Sequence, residues 1–168
     1  VTENTDKGWT TPKRVESIPY HSVTSCLSPD ANSIYVRCDL LNELEQRRTP
    51  LRQRKYSFRR CTRTPQGWSV PQELGPPFSS SGQYGGFSVA ADNSICFKSK
   101  GDGFCIAPFV NNTWEQAIKI PMEMGNLNPC HPGIAPDGSF LVFYSIEPGA
   151  QGGTPTDLYL TLRRPDDT

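Results

Sequence analysis

The side chains able to do chemistry in this sequence are few and scattered. Only two histidines occur, His21 and His131, and the second follows a cysteine, Cys130. A Cys-His pair joined by a histidine from elsewhere could hold zinc, which takes nitrogen and sulfur ligands in tetrahedral sets. No His-x-x-x-His spacing and no carboxylate cluster backs that chemistry. Each histidine therefore reads first as a loop residue bonded to backbone, and neither a metal nor a cofactor is expected. Nucleophilic catalysis needs a Ser or Cys beside a base that a third group orients, and no Gly-x-Ser-x-Gly elbow occurs. Glycoside hydrolysis needs two carboxylates roughly 5 to 10 Å apart; the acidic candidates Glu16, Asp39 and Glu123 are few. Gly152-Gly153 and Gly101-Asp102-Gly103 do not open a helix after a strand, so they read as turn glycines rather than phosphate cradles.

The cations are more concentrated. Arg47, Arg48, Arg52, Arg54, Lys55, Arg59, Arg60 and Arg63 hold nearly half of all Lys and Arg within 17 positions. The first four arginines are the candidate anion-binding set, for a phosphate, an acidic glycan or nucleic acid. The plain alternative is a solvated loop and rim strand. Lys plus Arg equals Asp plus Glu at 17 each, so the whole chain has no net pull toward polyanions.

Those residues need a scaffold, and composition limits which one. Gly and Pro make up about 18% of the 168 residues, against roughly 12% in average proteins. An excess of turn formers without a long helical pattern points to many short strands. No run of 18 apolar residues exists, so no transmembrane helix is expected. The chain begins at Val1 rather than Met and reads as a processed or excised chain. Its six cysteines, Cys26, Cys38, Cys61, Cys96, Cys105 and Cys130, form no Cys-x-x-Cys pair. Most lie in apolar strand patterns, where a free thiol behaves as a small hydrophobe. If any pair is oxidised, Cys96 and Cys105, flanking a short hairpin, are the expected one.

The dominant signal is an internal repeat. Trp9, Trp68 and Trp114 each open a similar stretch: Gly8-Trp9-Thr10-Thr11-Pro12, Gly67-Trp68-Ser69-Val70-Pro71 and Thr113-Trp114-Glu115. About 20 residues on comes a turn: Leu27-Ser28-Pro29-Asp30, Ala90-Ala91-Asp92-Asn93 and Ile134-Ala135-Pro136-Asp137-Gly138. A β-rich run follows each, and a further strand ends each unit. Four short strands per unit of 45 to 60 residues is the blade pattern of a β-propeller, with three repeats at approximately 9–66, 67–112 and 113–168. The third copy resembles the WD40-like PD40 repeat of the TolB type. The matching residues are the Pro132-to-Gly138 turn, the Phe143-Tyr144-Ser145 strand, and Gly152-Gly153 followed by Asp157-Leu158-Tyr159. The earlier copies match more loosely: Asn93 stands where the turn glycine would be, and Ala31-Asn32 widens the first turn.

That resemblance implies an all-β fold with three four-stranded antiparallel blades. It orders the strands outward from the axis, with the strand before the Pro-Asp-Gly turn innermost and the Trp strand at the rim. The expected strands are 23–28, 33–38, 55–62 and 68–74; then 85–90, 94–99, 103–109 and 114–120; then 130–135, 140–145 and 157–163. The third blade lacks a rim strand, and the segment near 9–17 is the candidate. Propellers have about 4 to 8 blades, so three cannot wrap an axis. A head-to-tail homodimer in which each Trp9 strand completes the partner's third blade gives six. The alternative is half of a longer single-chain propeller.

The long connections, roughly 39–54, 75–84, 121–129 and 146–156, fall on one face in this scheme, where binding sites tend to sit. Tyr20, His21, Gln83, Tyr84, Asn128 and His131 lie near its mouth and are the candidate ligand-binding residues. Within 39–54, Asp39 could cap a short helix over 40–48 that Pro50 ends. The reading is a non-catalytic interaction module for a protein, peptide or glycan. The alternative is a glycan-active or other hydrolase using the funnel.

Overall fold

The computed structural model describes residues 4–5, 8–18, 22–39, 41, 43–50, 53–54, 56–78, 85–99, 103–122, 127–146 and 156–164. In chain order, β1 (Asn4–Thr5) and β2 (Gly8–Trp9) form a small hairpin. Next come β3 (Ser22–Leu27), β4 (Ser33–Asp39), the helix α1 (Glu43–Arg48), β5 (Tyr56–Thr64), β6 (Gly67–Trp68) and β7 (Gln72–Glu73). They make a first sheet in which β3, β4 and β5 lie side by side and both β6 and β7 pair with β5. The second sheet holds β8 (Phe87–Val89), β9 (Ile95–Ser99) and β10 (Gly103–Ala107). After the ribbon of β11 (Phe109–Val110) and β12 (Thr113–Trp114), β13 (Ile118–Lys119) returns to pair with β10. Among the described residues the third sheet has three strands, β14 (Asn128–Ile134), β15 (Phe140–Ile146) and β16 (Thr156–Leu162). The protein is therefore all-β, built from antiparallel sheets. The inner strands fall within a few residues of the ranges expected from the repeat.

The tight turns between first and second strands show why. In each, an aspartate accepts the backbone N–H two residues on: Asp30 from Asn32, Asp92 from Ser94 and Asp137 from Ser139. The residue after the aspartate, Ala31, Asn93 or Gly138, is left-handed, with φ of 57°, 67° and 73°. Asparagine and glycine tolerate that region and alanine does not, so the first turn is the strained copy. The hydrogen bonds from Ser28 and Ser139 hold the Asp30 and Asp137 carboxyls below the usual carboxylate range.

Alternation along each strand separates two faces. Tyr35 and Phe58 point toward the second sheet and meet Phe78, Phe87, Val89, Ile95, Phe97, Cys105 and Ala107 in one cluster. Phe58 sits edge-on to Phe78 and Phe87 at 5.4 and 4.8 Å between ring centres, pairs that add about 0.5–1.5 kcal/mol each beyond burial. The second sheet meets the third through Cys96, Phe104, Leu141 and Phe143. Polar links cross too. The Ile134 N–H donates to Ser88 Oγ, the Ala91 N–H to the Pro136 carbonyl, and the Tyr35 hydroxyl to Asn93 Oδ1.

All six cysteines are free, and Cys38, Cys61, Cys96 and Cys105 are buried. Cys96 and Cys105, the pair named only for the case that one is oxidised, are out of register: Cys105 lies opposite Phe97 and Cys96 opposite Ile106. The two thiols therefore point to opposite faces and enter different clusters. Burial raises the Cys96 thiol pKa strongly, leaving it inert.

The helix is shorter than expected, Glu43–Arg48 rather than 40–48. Asp39 ends β4, and its carboxylate accepts the Leu41 N–H and pairs with Arg54. It thus shapes the turn before the helix instead of capping it.

The tryptophan repeat is a hairpin repeat. Trp9 lies opposite Asn4, Trp68 opposite Arg63 and Trp114 opposite Phe109, each with the preceding residue also paired. The segment near 9–17 was expected as a rim strand beside 157–163. Within the single chain, strand geometry in that segment covers Trp9 alone, which pairs with β1, while residues 10–18 carry no strand.

Candidate functional site

Of the six residues proposed at the mouth, Asn128 and His131 are described; Tyr20, His21, Gln83 and Tyr84 lie outside the described residues, as does Arg52. Asn128 opens β14 and is exposed, its backbone N–H donating to Ser145 Oγ at 2.9 Å. His131 sits in a β-bulge, where the pairing of β14 with β15 shifts between Cys130 and Gly133. Bulges re-aim side chains, and this one holds His131 at φ 48° with its ring stacked on Tyr144, 5.1 Å between centres and 15° between planes. Gly86 of the second sheet makes room for it. A Cβ there would lie 2.8 Å from the His131 Cα and 2.7 Å from Cδ2. The imidazole and Tyr144 thus form a small aromatic platform, with His131 exposed and Asn128 on the same strand. Cys130 beside it donates weakly to the Asn128 carbonyl; burial raises its thiol pKa, and Lys98 works against that rise. Among the described residues, no three His, Cys, Asp or Glu side chains gather as metal ligands.

The arginine set divides. Arg54 turns inward: its guanidinium pairs with Asp39 at 3.3 Å and donates to the carbonyls of Thr49 and Gln46. It closes the C-terminal end of α1, a positioning role rather than an anion site. Arg47 and Arg48 sit in the last turn of α1 and are exposed. Further along the basic run, Arg59 pairs with Glu73, and Arg60 lies over the Trp114 ring.

One concave feature was not anticipated. A groove of about 780 Å³ runs between β13 and β16, floored by Met122, Leu127, Phe143 and Tyr159 and rimmed by Lys119, Leu160, Leu162 and Arg164. β16 is the outer strand of its sheet. Its Leu158, Leu160 and Leu162 are 76%, 61% and 68% exposed. The hydrogen bond from the Arg163 N–H to the Ser139 carbonyl fixes the strand's phase, so odd-numbered backbone groups face β15 and those of the three leucines face outward. The sequence signal was available: Leu158, Leu160 and Leu162 give the strand one aliphatic face, while Tyr159 stands on the other.

No protein-family model matches the sequence, and no curated protein matches it. No helix among the described residues is long and apolar enough to cross a membrane.

Proposed function

We propose that this chain is a non-catalytic interaction module, three successive blades of a β-propeller, and that it meets its partner through the open edge of the third sheet. One observation carries the reading: among the described residues, β16 leaves an edge with three exposed leucines at alternate positions beside a groove. Unpaired edges recruit strands, and contiguous exposed apolar surface marks interaction sites. The blade reading is supported by three sheets whose inner turns share one geometry and whose faces pack in chain order. It also agrees with the TolB-type resemblance of the third repeat. The partner proposed is a second copy, head to tail, which brings the blades to six, within the roughly 4 to 8 of propellers. The face carrying Asn128 and the His131–Tyr144 platform would then present itself to a protein, peptide or glycan, since stacked rings suit flat or sugar surfaces. A polyanion site has less behind it, because Arg54 is committed to Asp39 and the helix carbonyls.

Light scattering tests the reading. The expected mass is twice the 18.7 kDa of one chain, falling toward the monomer on dilution. A monomer at every concentration would overturn it.

A further inference from the structure

The first two sheets show what lies beside a strand equivalent to β16. Hydrogen bonding at the inner turns and the register of the following strands make Phe58, Phe104 and Leu158 equivalent, and likewise Thr62, Pro108 and Leu162. In the first sheet the Ser69 and Leu74 N–H groups donate to the carbonyls of Thr62 and Phe58. In the second, Glu115 and Ile120 donate to Pro108 and Phe104. The donors stand one and six residues after Trp68 and Trp114. The rim segment thus has a fixed grammar: Trp, then Pro or Ala at the third residue on, then an aliphatic at the sixth. It reads Trp68, Pro71, Leu74 and Trp114, Ala117, Ile120. The same grammar occurs once more, in Trp9, Pro12 and Val15. In the second sheet the indole N–H donates to the Asn93 carbonyl at 3.0 Å and the ring closes the interface beside Tyr35 and Phe78. At the corresponding place in the third sheet lie the groove and, for Asn93, Gly138.

We propose that the groove between β13 and β16 receives residues 8–15 of a second copy as the fourth strand of the third sheet. This rests on the interaction-module reading and specifies its register. Thr10 donates to the Leu162 carbonyl, Val15 donates to the Leu158 carbonyl, and the Trp9 indole donates to the Gly138 carbonyl. In one chain Gly8–Trp9 pairs with Asn4–Thr5 over two residues; docking exchanges that short ladder for a longer one along β16.

The probe is a synthetic peptide of residues 8–15, titrated into the Trp9→Ala chain so that the protein's own segment does not compete. Saturable binding is expected, at least tenfold weaker when Leu160→Arg is added and when the peptide carries alanine for tryptophan. Leu160 is exposed, so circular dichroism should be unchanged by the substitution. Absence of binding, or binding indifferent to both changes, overturns the inference. Solution mass separates it from the broader reading. A dimer that Trp9→Ala and Leu160→Arg leave intact overturns the strand assignment alone. A monomeric wild type overturns the module reading, and peptide binding then decides the groove by itself.

Discussion

The two interfaces between consecutive sheets share one plan and end differently. Position by position, Phe58 corresponds to Phe104, Phe97 to Phe143, Ile95 to Leu141 and Cys105 to Tyr159. The first interface continues outward into Phe78 and Trp114 and closes. The second stops at the Phe143–Tyr159 stack and opens into the groove. Among the described residues, the difference is one strand. With a strand paired to β10, Phe104 stays buried; Leu158, its counterpart on β16, is exposed.

The largest test of that comparison is a pair of truncations. Phe58→Ala removes a ring in contact with three others and should cost about 4 kcal/mol, the middle of the range for buried phenylalanine. Phe104→Ala, equally buried but touching one ring, should cost about 3 kcal/mol. Urea unfolding of both variants measures the gap; equal losses would mean that the open interface is as tightly packed as the closed one.

Gly86→Ala probes the inner side of the open interface. Its Cβ would strike the His131 backbone at 2.8 Å, which cannot swing away as a side-chain tip could. The expected loss is about 2 kcal/mol, within the range for overpacking, together with a changed environment for the His131 ring in NMR spectra. An unchanged His131 resonance would show that the bulge does not depend on that glycine.

The smallest effect compares the turns. Ala31 is left-handed where the third sheet has Gly138. Ala31→Gly should stabilise the chain by roughly 1 kcal/mol, the relief of an L-residue from that region set against glycine's added unfolded-state entropy. A neutral or destabilising result would show that the first turn is not strained.

Much of this architecture was legible in the sequence because it repeats. The Asp turns and the Trp hairpins recur at fixed spacing, and alternation marks the strands between them, so the inner strands of each sheet were placed closely. The short helix was less accurate, since Asp39 answers to Arg54, 15 residues away, rather than to its own helix. Arg54 looked like part of a cationic surface for the same reason: sequence shows charge but not the carboxylate and carbonyls folded around it. The Cys96–Cys105 expectation counted spacing without register, and one residue of register moves a side chain to the other face. The groove could not be read at all, because it exists only where β13 and β16 are brought side by side.

The central claim is that β16 is an acceptor edge filled by a second copy. Amide hydrogen exchange followed against protein concentration addresses it most directly. The outward-facing amides of β16, those of Leu158, Leu160 and Leu162, should exchange fast in dilute protein and slow markedly as the concentration rises, while inward-facing Tyr159 and Thr161 stay protected throughout. Fast exchange of the three leucine amides at every concentration would contradict the account.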